Sequence, residues 1–259
     1  MKRFFLYFLL LLLIAGLAAL AFGFYNAKKI RAWAGAAAEI KSQHDVFAKE
    51  KNIESRFDAS GGEKMEEFKR EFASFSTDLD SIVKETETAR KEIGELNGSV
   101  ATKSVRAQID EYYQQSGEQA KNIASVVKFM SQLFEVRIIF DRITPDSTLE
   151  EIKGLIGEAK SKNGEIDTEI LPTETKDFGV ELKTAIYNYL DTLDQYAAGK
   201  IEGHNQLNAS YMDFSQKEND FREARKNLAV YVNIKNLDSL GNKIDSDLMV
   251  LRKVKFSIK

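Results

Sequence analysis

The amino end of the chain carries one long apolar run. From Phe4 to Phe24 the sequence has 21 residues without a charge, and basic residues flank the run on both sides. At about 1.5 Å rise per residue, a helix of this length measures about 31 Å and matches the ~30 Å hydrocarbon core of a bilayer. The pattern predicts a membrane anchor over residues 1–27, with lipid contact through residues 4–24.

A cleaved secretory signal is the alternative for this run, because Ala19-Leu20-Ala21 offers small residues where a signal peptidase acts. The apolar part of a signal peptide is usually about 7–15 residues long, so the longer run favours an uncleaved signal-anchor. Lys2, Arg3 and the terminal amine precede the run, and Lys28, Lys29 and Arg31 follow it. We expect a single-pass membrane protein with a cytoplasmic amino terminus and an extracytoplasmic body, periplasmic or extracellular.

Beyond the run, apolar residues recur at steps of three and four, which is the spacing of one helix face. The first such stripe predicts that the anchor helix continues past the membrane until a break at Ser60-Gly61-Gly62. Its members are Ile30, Trp33, Ala37, Ile40, His44 and Phe47. A second stripe predicts a helix whose seam faces a neighbour over more than four heptads, as in a left-handed bundle or coiled coil. Its members are Met65, Phe68, Phe72, Phe75, Leu79, Ile82, Thr86, Ala89, Ile93 and Leu96.

Turn signals divide the rest of the chain. Asn97-Gly98-Ser99 ends the second helix, and a third begins near Val100, stops at Thr144-Pro145-Asp146 and is expected to be best buried near Phe140. Ser147 and Glu150 have capping-box spacing and open a short helix. Residues 162–173 are the least helical, because Asn163-Gly164 is a turn signal and Pro172 disfavours helix before it.

Two more helices are predicted after Pro172, one ending near Gly199 and one running to the carboxyl end. The first carries Phe178, Leu182, Ile186, Tyr189, Leu193 and Tyr196, and the second carries Tyr211, Phe214, Phe221, Leu228, Val232, Leu237, Leu240, Ile244, Leu248 and Leu251. The fold class is therefore all-α: an N-terminal transmembrane helix followed by an elongated up-and-down helical bundle, or coiled-coil-like body, of five or six helices. Residues 28–259 are expected to form that bundle as one domain.

Composition supports helix and excludes several kinds of partner. The chain has only two prolines, and without Lys2 and Arg3 its 37 basic residues become 35 against 40 acidic ones. A body without basic excess is not expected to bind nucleic acid. The sequence has no cysteine, which excludes disulfides, thiolate metal sites and thiol catalysis.

Candidate chemical residues are few and scattered. His44 is expected to be a partly buried imidazole with one hydrogen-bond partner, and His204 a residue at a helix start. Acidic pairs such as Glu66-Glu67 and Glu150-Glu151 are expected on any solvated helix of a chain with 30% charged residues. No phosphate loop, HExxH helix or nucleophile elbow is present. We therefore assign no catalytic, cofactor-binding or metal-binding residues and no cofactor, and we expect a protein that is not an enzyme.

Two further groups of residues, one of tyrosines and one of basic residues, could each bind a partner or have only a structural role. Tyrosines could line a ligand groove, although helix-spaced aromatic residues are more often core; they are Tyr112, Tyr113, Tyr187, Tyr189 and Tyr196. The last residues carry only basic charge, which could attract anionic lipid or an acidic partner; they are Arg252, Lys253, Lys255 and Lys259.

The layout of an anchor followed by long helices is similar to that of the periplasmic sensor domains of chemotaxis-type receptors, and Tyr25-Asn26 resembles a dipeptide that follows the span of LemA-type proteins. The sequence assigns the chain to neither family. The first functional hypothesis is a scaffold or interaction component of a cell envelope, which binds protein partners or copies of itself through helical seams. The alternative is a membrane-tethered, sensor-like module that binds a ligand and signals through a partner protein. The identity of a small-molecule ligand stays open.

Overall fold

The computed structural model describes the backbone of residues 2–46, 49, 65–144, 146–200, 204–231 and 234–255, and the side chains of residues 15, 17–46, 49, 73–144, 146–200, 204–226 and 236–255. Within these residues it has seven α-helices and no strand. The α-helices are α1 (Lys2–Gln43), α2 (Met65–Glu95), α3 (Lys103–Asp141), α4 (Leu149–Glu165), α5 (Thr173–Ala197), α6 (His204–Tyr231) and α7 (Ile234–Arg252). A short 3₁₀ helix, Val100–Thr102, precedes α3. The predicted all-helical bundle class is confirmed, whereas its elongated shape and single-domain organisation stay predictions.

Helix α1 runs without a break from the apolar run into the following stripe. This confirms that one helix continues from the apolar run into the stripe. The predicted extent is wrong, because the helix ends at Gln43, before His44 and well before Ser60-Gly61-Gly62; Phe47 and Ser60-Gly61-Gly62 lie outside the described residues. Among the residues whose side chains the structure describes, no helix carries an apolar stretch long enough to cross a membrane. Residues 4–14 and residue 16, more than half of the predicted span, are not among them.

The heptad seam of α2 is confirmed. Its buried positions in the described part follow the predicted steps of three and four: Phe75, Leu79, Ile82, Thr86, Ala89 and Ile93. The side chains of Met65, Phe68 and Phe72 lie outside the described residues. Because the described seam is buried within the chain itself, Leu79 is a core residue and is not available for contact with a second copy.

The described residues group into two compact units. Unit 1 draws on residues 1–48, 84–117 and 235–259, and unit 2 on residues 49–83 and 118–234, so α2 and α3 contribute to both.

Unit 1 packs α1, the end of α2, the start of α3 and α7 with alternating directions. His44, directly after α1, contacts Glu92 of α2, and Trp33 of α1 lies close to Gly98, so α1 and α2 run antiparallel. Lys41 contacts Asp245, and the Arg252 side chain reaches the Gly35 carbonyl, so α7 also runs antiparallel to α1. The core of unit 1 combines small residues on α1 with larger ones on its neighbours. It includes Ala34, Ala37, Ala89, Ile93, Ile109, Tyr113, Ile244 and Leu248.

Unit 2 contains α4, α5 and α6 with parts of α2 and α3, and α5 packs against both α4 and α6. Its core includes a pair of phenylalanines, Phe129 of α3 and Phe221 of α6, whose ring centroids lie 5.0 Å apart. Gly179 of α5 faces Phe129 of this pair. A Cβ added there would clash with Leu171 Cδ1 and lie 3.3 Å from Phe129 Cζ. The missing side chain is what lets Leu171 and Phe129 reach the α5 backbone.

The start and end of α4 differ from the prediction. Thr148, not Ser147, is the capping residue, because its hydroxyl accepts from the Glu151 N–H at 3.3 Å and the Glu151 carboxylate accepts from the Thr148 N–H at 2.7 Å. The turn predicted at Asn163-Gly164 is wrong, since α4 continues to Glu165. Asn163 is buried, and its Nδ2 donates to the Lys183 carbonyl at 3.1 Å, so its amide holds α4 against α5 instead of forming a turn.

The apolar stripe predicted for α5 is rotated from the observed one. Phe178 and Tyr196 are exposed, while the buried face consists of Thr175, Gly179, Leu182, Ala185, Ile186 and Leu190.

The last predicted helix is two helices in the structure, because α6 ends at Tyr231 and α7 begins at Ile234. In α3 the fully buried side chains lie between Ile109 and Phe129, whereas Ile138 and Phe140 are half-buried, so the expectation of deepest burial near Phe140 is wrong.

Two glycines give a matched test of backbone conformation. Gly157 is exposed within α4 with no atom within 4 Å of an added Cβ, so we expect Gly157→Ala to stabilise the fold by about 0.5–1 kcal/mol through helix propensity. Gly199 follows α5 with a φ of +69°, where a Cβ is strained, so Gly199→Ala should cost about 1–2 kcal/mol. Urea denaturation measures both, and equal effects of the two substitutions would contradict the assignment of their conformations.

Candidate functional site

Among the residues whose side chains the structure describes, the most unusual surface is formed by residues 15–25 of α1. Its described side chains are apolar and exposed: Leu17 is 58% exposed, Phe22 68% and Tyr25 65%. We call residues 15–25 the exposed half of α1. A helix that presents apolar side chains around its circumference normally has an apolar medium or another protein around it.

The exposed half ends sharply. Ala27 is only 5% exposed, and from Trp33 to Ala37 the inner face of α1 is buried in unit 1. Lys28 and Arg31 lie at the boundary and are exposed, and Arg31 Nε donates to the Ala27 carbonyl at 3.3 Å. One continuous helix therefore changes from an exposed apolar segment to a packed bundle helix within a few residues.

Unit 1 also has a polar cleft of ≈ 300 Å³ where α1 ends. Both carboxylate oxygens of Asp245 accept from Lys41 Nζ, at 2.8 and 2.9 Å, and the Lys41 ammonium lies 5.9 Å from the centre of the Tyr112 ring. Asp45 and Asp238 add two more carboxylates to the lining. The cleft is thus richer in acid than in base.

His44 and Tyr113 lie side by side next to this cleft. His44 Nε2 is 3.2 Å from Glu92 Oε2, which confirms the expected partly buried imidazole with a hydrogen-bond partner. The Tyr113 hydroxyl donates to the His44 carbonyl at 3.2 Å, and the same carbonyl accepts from the Val46 N–H at 3.0 Å. These bonds fix the end of α1 against α2 and α3.

No family model matches the chain, and the searches of curated proteins and of solved structures find no match either. Its function therefore has to be inferred from its own residues.

Burial raises the pKa of the Tyr113 phenol well above its ordinary value, and four nearby carboxylates raise it further. They belong to Asp45, Asp245, Glu92 and Glu85. The charged groups that act on the Tyr113 phenol are therefore carboxylates.

Tyr113→Phe tests this environment through the pH dependence of stability. Because the folded-state pKa lies above the unfolded value of about 10, the stability linked to Tyr113 is complete below about pH 10 and is lost as the pH rises towards the folded-state pKa. The variant should lose about 0.5–1.5 kcal/mol at neutral pH, for one hydrogen bond. Above about pH 10 this deficit should shrink, by up to about 1.4 kcal/mol per pH unit. Urea denaturation across this range measures it, the exposed Tyr187→Phe is the control, and a deficit independent of pH would contradict the argument.

Unit 2 has an open groove of ≈ 580 Å³ between α2, α3 and Ile170, lined largely by small and polar side chains such as Ala73, Ser76 and Ser131. It also has an aromatic cluster around Tyr189, which stacks on Phe214 with ring centroids 5.9 Å apart and packs against Tyr211 at 5.7 Å.

The five tyrosines singled out in the sequence do not line one groove. Tyr112 and Tyr113 are core residues of unit 1, Tyr187 and Tyr196 are exposed, and Tyr189 is half-buried.

The other candidate residues do not lie together in one site. His204 begins α6 as expected, with its ring 5.5 Å from that of Tyr196. Glu150 and Glu151 lie in the first turn of α4, and the side chains of Glu66 and Glu67 lie outside the described residues. Among the described residues, no three acidic or histidine side chains converge as metal ligands.

Proposed function

We propose that this protein is a single-pass, membrane-anchored helical bundle that serves as a structural or interaction component of a cell envelope, without catalytic activity. The anchor is the run from Phe4 to Phe24, and the bundle follows from residue 28 onwards. The observation that carries the proposal is the exposed half of α1, because Leu17, Phe22 and Tyr25 are exposed while the inner face of the same helix is buried from Ala27 onwards.

The cost of leaving this surface in water supports a lipid environment. Burial of apolar surface contributes about 25 cal/mol per Å², so several large side chains such as Leu17, Phe22 and Tyr25 together favour an apolar medium by several kcal/mol. The aromatic residues at the end of the run, Phe22 to Tyr25, occupy the position where aromatic rings prefer the headgroup zone. The basic residues that follow are suited to lie in that zone as well.

Self-association is proposed within the bilayer instead of through the α2 seam. Ala15, Ala19 and Gly23 follow one another at four-residue spacing, and small residues so spaced let transmembrane helices approach closely. Ala15 and Ala19 are exposed in the chain, so they are available to a second copy or to a partner span. Chemical crosslinking in the native membrane, followed by identification of the captured chains, tests both possibilities.

We propose for the chain the orientation expected from its sequence, with the amino terminus in the cytoplasm and the body outside the cytoplasm. The basic residues near the carboxyl end do not change this expectation, because the orientation rule counts residues within about 15–20 positions of the span. The chain should stay with the membrane in alkaline carbonate, and protease added to intact cells stripped of any outer barrier should digest the bundle. Extraction by carbonate would refute the anchor, and digestion only after the membrane is opened would refute the orientation.

The second candidate is the sensor-like module, and the cleft of unit 1 is the observation that favours it. Its ≈ 300 Å³ is at the lower end of the range of small-molecule sites, and its carboxylates suit a small cationic ligand. Native mass spectrometry of the intact chain, purified from its source, would show a bound small molecule. Filling the cleft with Gly241→Trp would then abolish the binding, and a chain that carries no ligand would remove this candidate.

A further inference from the structure

The carboxyl-terminal basic residues lie at the end of unit 1 that is next to the exposed half of α1. Antiparallel pairing places Asp245 beside Lys41 and Arg252 beside Gly35, so each step along α7 moves towards lower numbers on α1. Lys253 and Lys255 follow Arg252 directly and are exposed. Residues more than 200 positions apart in the sequence are thus neighbours at this end.

The turn between α2 and α3 points to the same end. Glu92 is level with His44 on α1, and Gly98 is level with Trp33, where a Cβ added to the glycine would lie 3.5 Å from Trp33 Nε1. The chain reverses beyond this point, and the 3₁₀ helix at the turn presents Val100, which is 93% exposed. An apolar side chain so exposed at a turn has no role in the core of its own unit.

Charge at this end is mainly positive. We call the exposed basic residues found here the basic end: Lys28, Arg31, Lys103, Arg252, Lys253 and Lys255. Glu95 is the acidic residue of α2 closest to the turn, and the next acidic residue on α1 is Glu39. The carboxylates that raise the pKa of Tyr113 lie towards the other end of unit 1, where α1 ends at Gln43. An excess of exposed basic residues therefore lies at the end of unit 1 towards the exposed half of α1.

The distances suit contact with a membrane surface. Trp33 is eight residues beyond Tyr25, which corresponds to about 12 Å along a helix axis at ~1.5 Å per residue. The headgroup layer extends about 5–8 Å beyond the hydrocarbon core on each side of a bilayer. Long lysine and arginine side chains at the level of residues 28–33 span the difference, because such side chains extend their charged groups towards the headgroups.

We propose that the basic end docks on the headgroups of anionic phospholipids, with Val100 as an apolar contact at its apex. This inference rests on the proposed anchor, which brings the basic end to the membrane surface. The occupant is the lipid surface rather than an acidic protein, because the basic end is continuous with the anchor and each lysine or arginine near an anionic surface gains about 1 kcal/mol, about fivefold in affinity. Docking holds unit 1 at a fixed position above the bilayer.

The full chain is tested in vesicles with a fluorophore on Ser104→Cys, which is exposed beside Lys103 and is the only thiol of the variant. A small fraction of the lipid carries a nitroxide on its headgroup, which quenches nearby fluorophores. We expect stronger quenching in vesicles of phosphatidylcholine with phosphatidylglycerol than in phosphatidylcholine alone. Salt should suppress the difference, because about 1 M salt shortens the screening length to about 3 Å.

Charge reversal supplies the matched variants. Lys103→Glu, Lys253→Glu and Lys255→Glu together should reduce quenching to the level seen in neutral vesicles. Lys84→Glu, Lys91→Glu and Lys243→Glu change the net charge equally at exposed positions of unit 1 away from the turn, and should leave quenching unchanged. Equal quenching in both lipids, or equal loss in both triple variants, overturns the proposal. Flotation separates the two claims: a chain that floats without lipid-dependent quenching refutes docking alone, and one that does not float with the vesicles refutes the anchor and docking together.

Discussion

Replacing Leu13 and Leu17 with arginine is expected to release the chain from the membrane. Each arginine near the centre of a span costs about 2.5–3.5 kcal/mol of insertion free energy, so the pair should lower membrane partition by a factor on the order of 10⁴. Leu17 is 58% exposed within the chain, so its replacement does not disturb the packing of unit 1. Membrane fractionation measures the partition, and circular dichroism should show unchanged helix content.

The control variant places two arginines on α1 outside the proposed span. Ala32 and Ser42 are exposed on α1, and Ala32→Arg with Ser42→Arg should leave the chain in the membrane fraction. If the Leu13 and Leu17 variant stayed in the membrane as the control does, the apolar run would not be what holds the protein there.

Phe129→Ala should be among the most damaging substitutions in unit 2. The side chain is fully buried, packs against Phe221 with ring centroids 5.0 Å apart, and lies where Gly179 brings the α5 backbone close. Truncation of a buried phenylalanine to alanine costs about 3–5 kcal/mol, from lost burial and from the cavity left behind. Because α3 and α5 are both long, the site is not expected to collapse and reduce this cost. Chemical denaturation of the purified chain, followed by circular dichroism, measures the loss.

Lys128 is the neighbouring control, since it is exposed and Lys128→Ala should change the unfolding free energy by no more than about 0.5 kcal/mol. Similar losses for Phe129→Ala and Lys128→Ala would show that Phe129 is not the core residue that its burial indicates.

The sequence predicted the parts of the fold that follow from local periodicity. The seam of α2 from Phe75 to Ile93 is buried at the predicted positions, because a regular heptad repeat defines one face whatever its partners are. Turn residues also located the ends of α2 and α3, since Asn97-Gly98-Ser99 and Thr144-Pro145-Asp146 both stop a helix.

The errors lie where a tertiary contact overrides a local signal. Asn163 looked like a turn residue, but its side chain donates across to α5 and α4 continues past it. The face of α5 was placed on Phe178 and Tyr196, because large aromatic residues outweigh Gly179 in any hydrophobic pattern. The buried position is Gly179, and its importance comes from Phe129, 50 residues earlier in the chain.

Some features of the candidate site could likewise be predicted from the sequence, and others could not. The apolar run and the basic residues behind it can be identified from sequence alone, and so can the basic residues near the carboxyl end. The sequence does not show that the basic residues after the run and those near the carboxyl end are neighbours, or that both lie near the turn at Val100. This follows only from the antiparallel pairing of α1 with α2 and α7. The sequence predicted which α2 positions are buried, but it could not show whether they are buried within the chain or between two copies.

The most direct test of the proposed membrane anchor is the environment of residue 17. A nitroxide on Leu17→Cys and another on Ser42→Cys, each the only thiol of the full chain, are compared in native-lipid vesicles by electron paramagnetic resonance. The account predicts that Leu17→Cys is relaxed by oxygen, which concentrates in the bilayer, and is shielded from a water-soluble nickel chelate, whereas Ser42→Cys shows the reverse. Equal accessibility of both positions to the nickel chelate would contradict it.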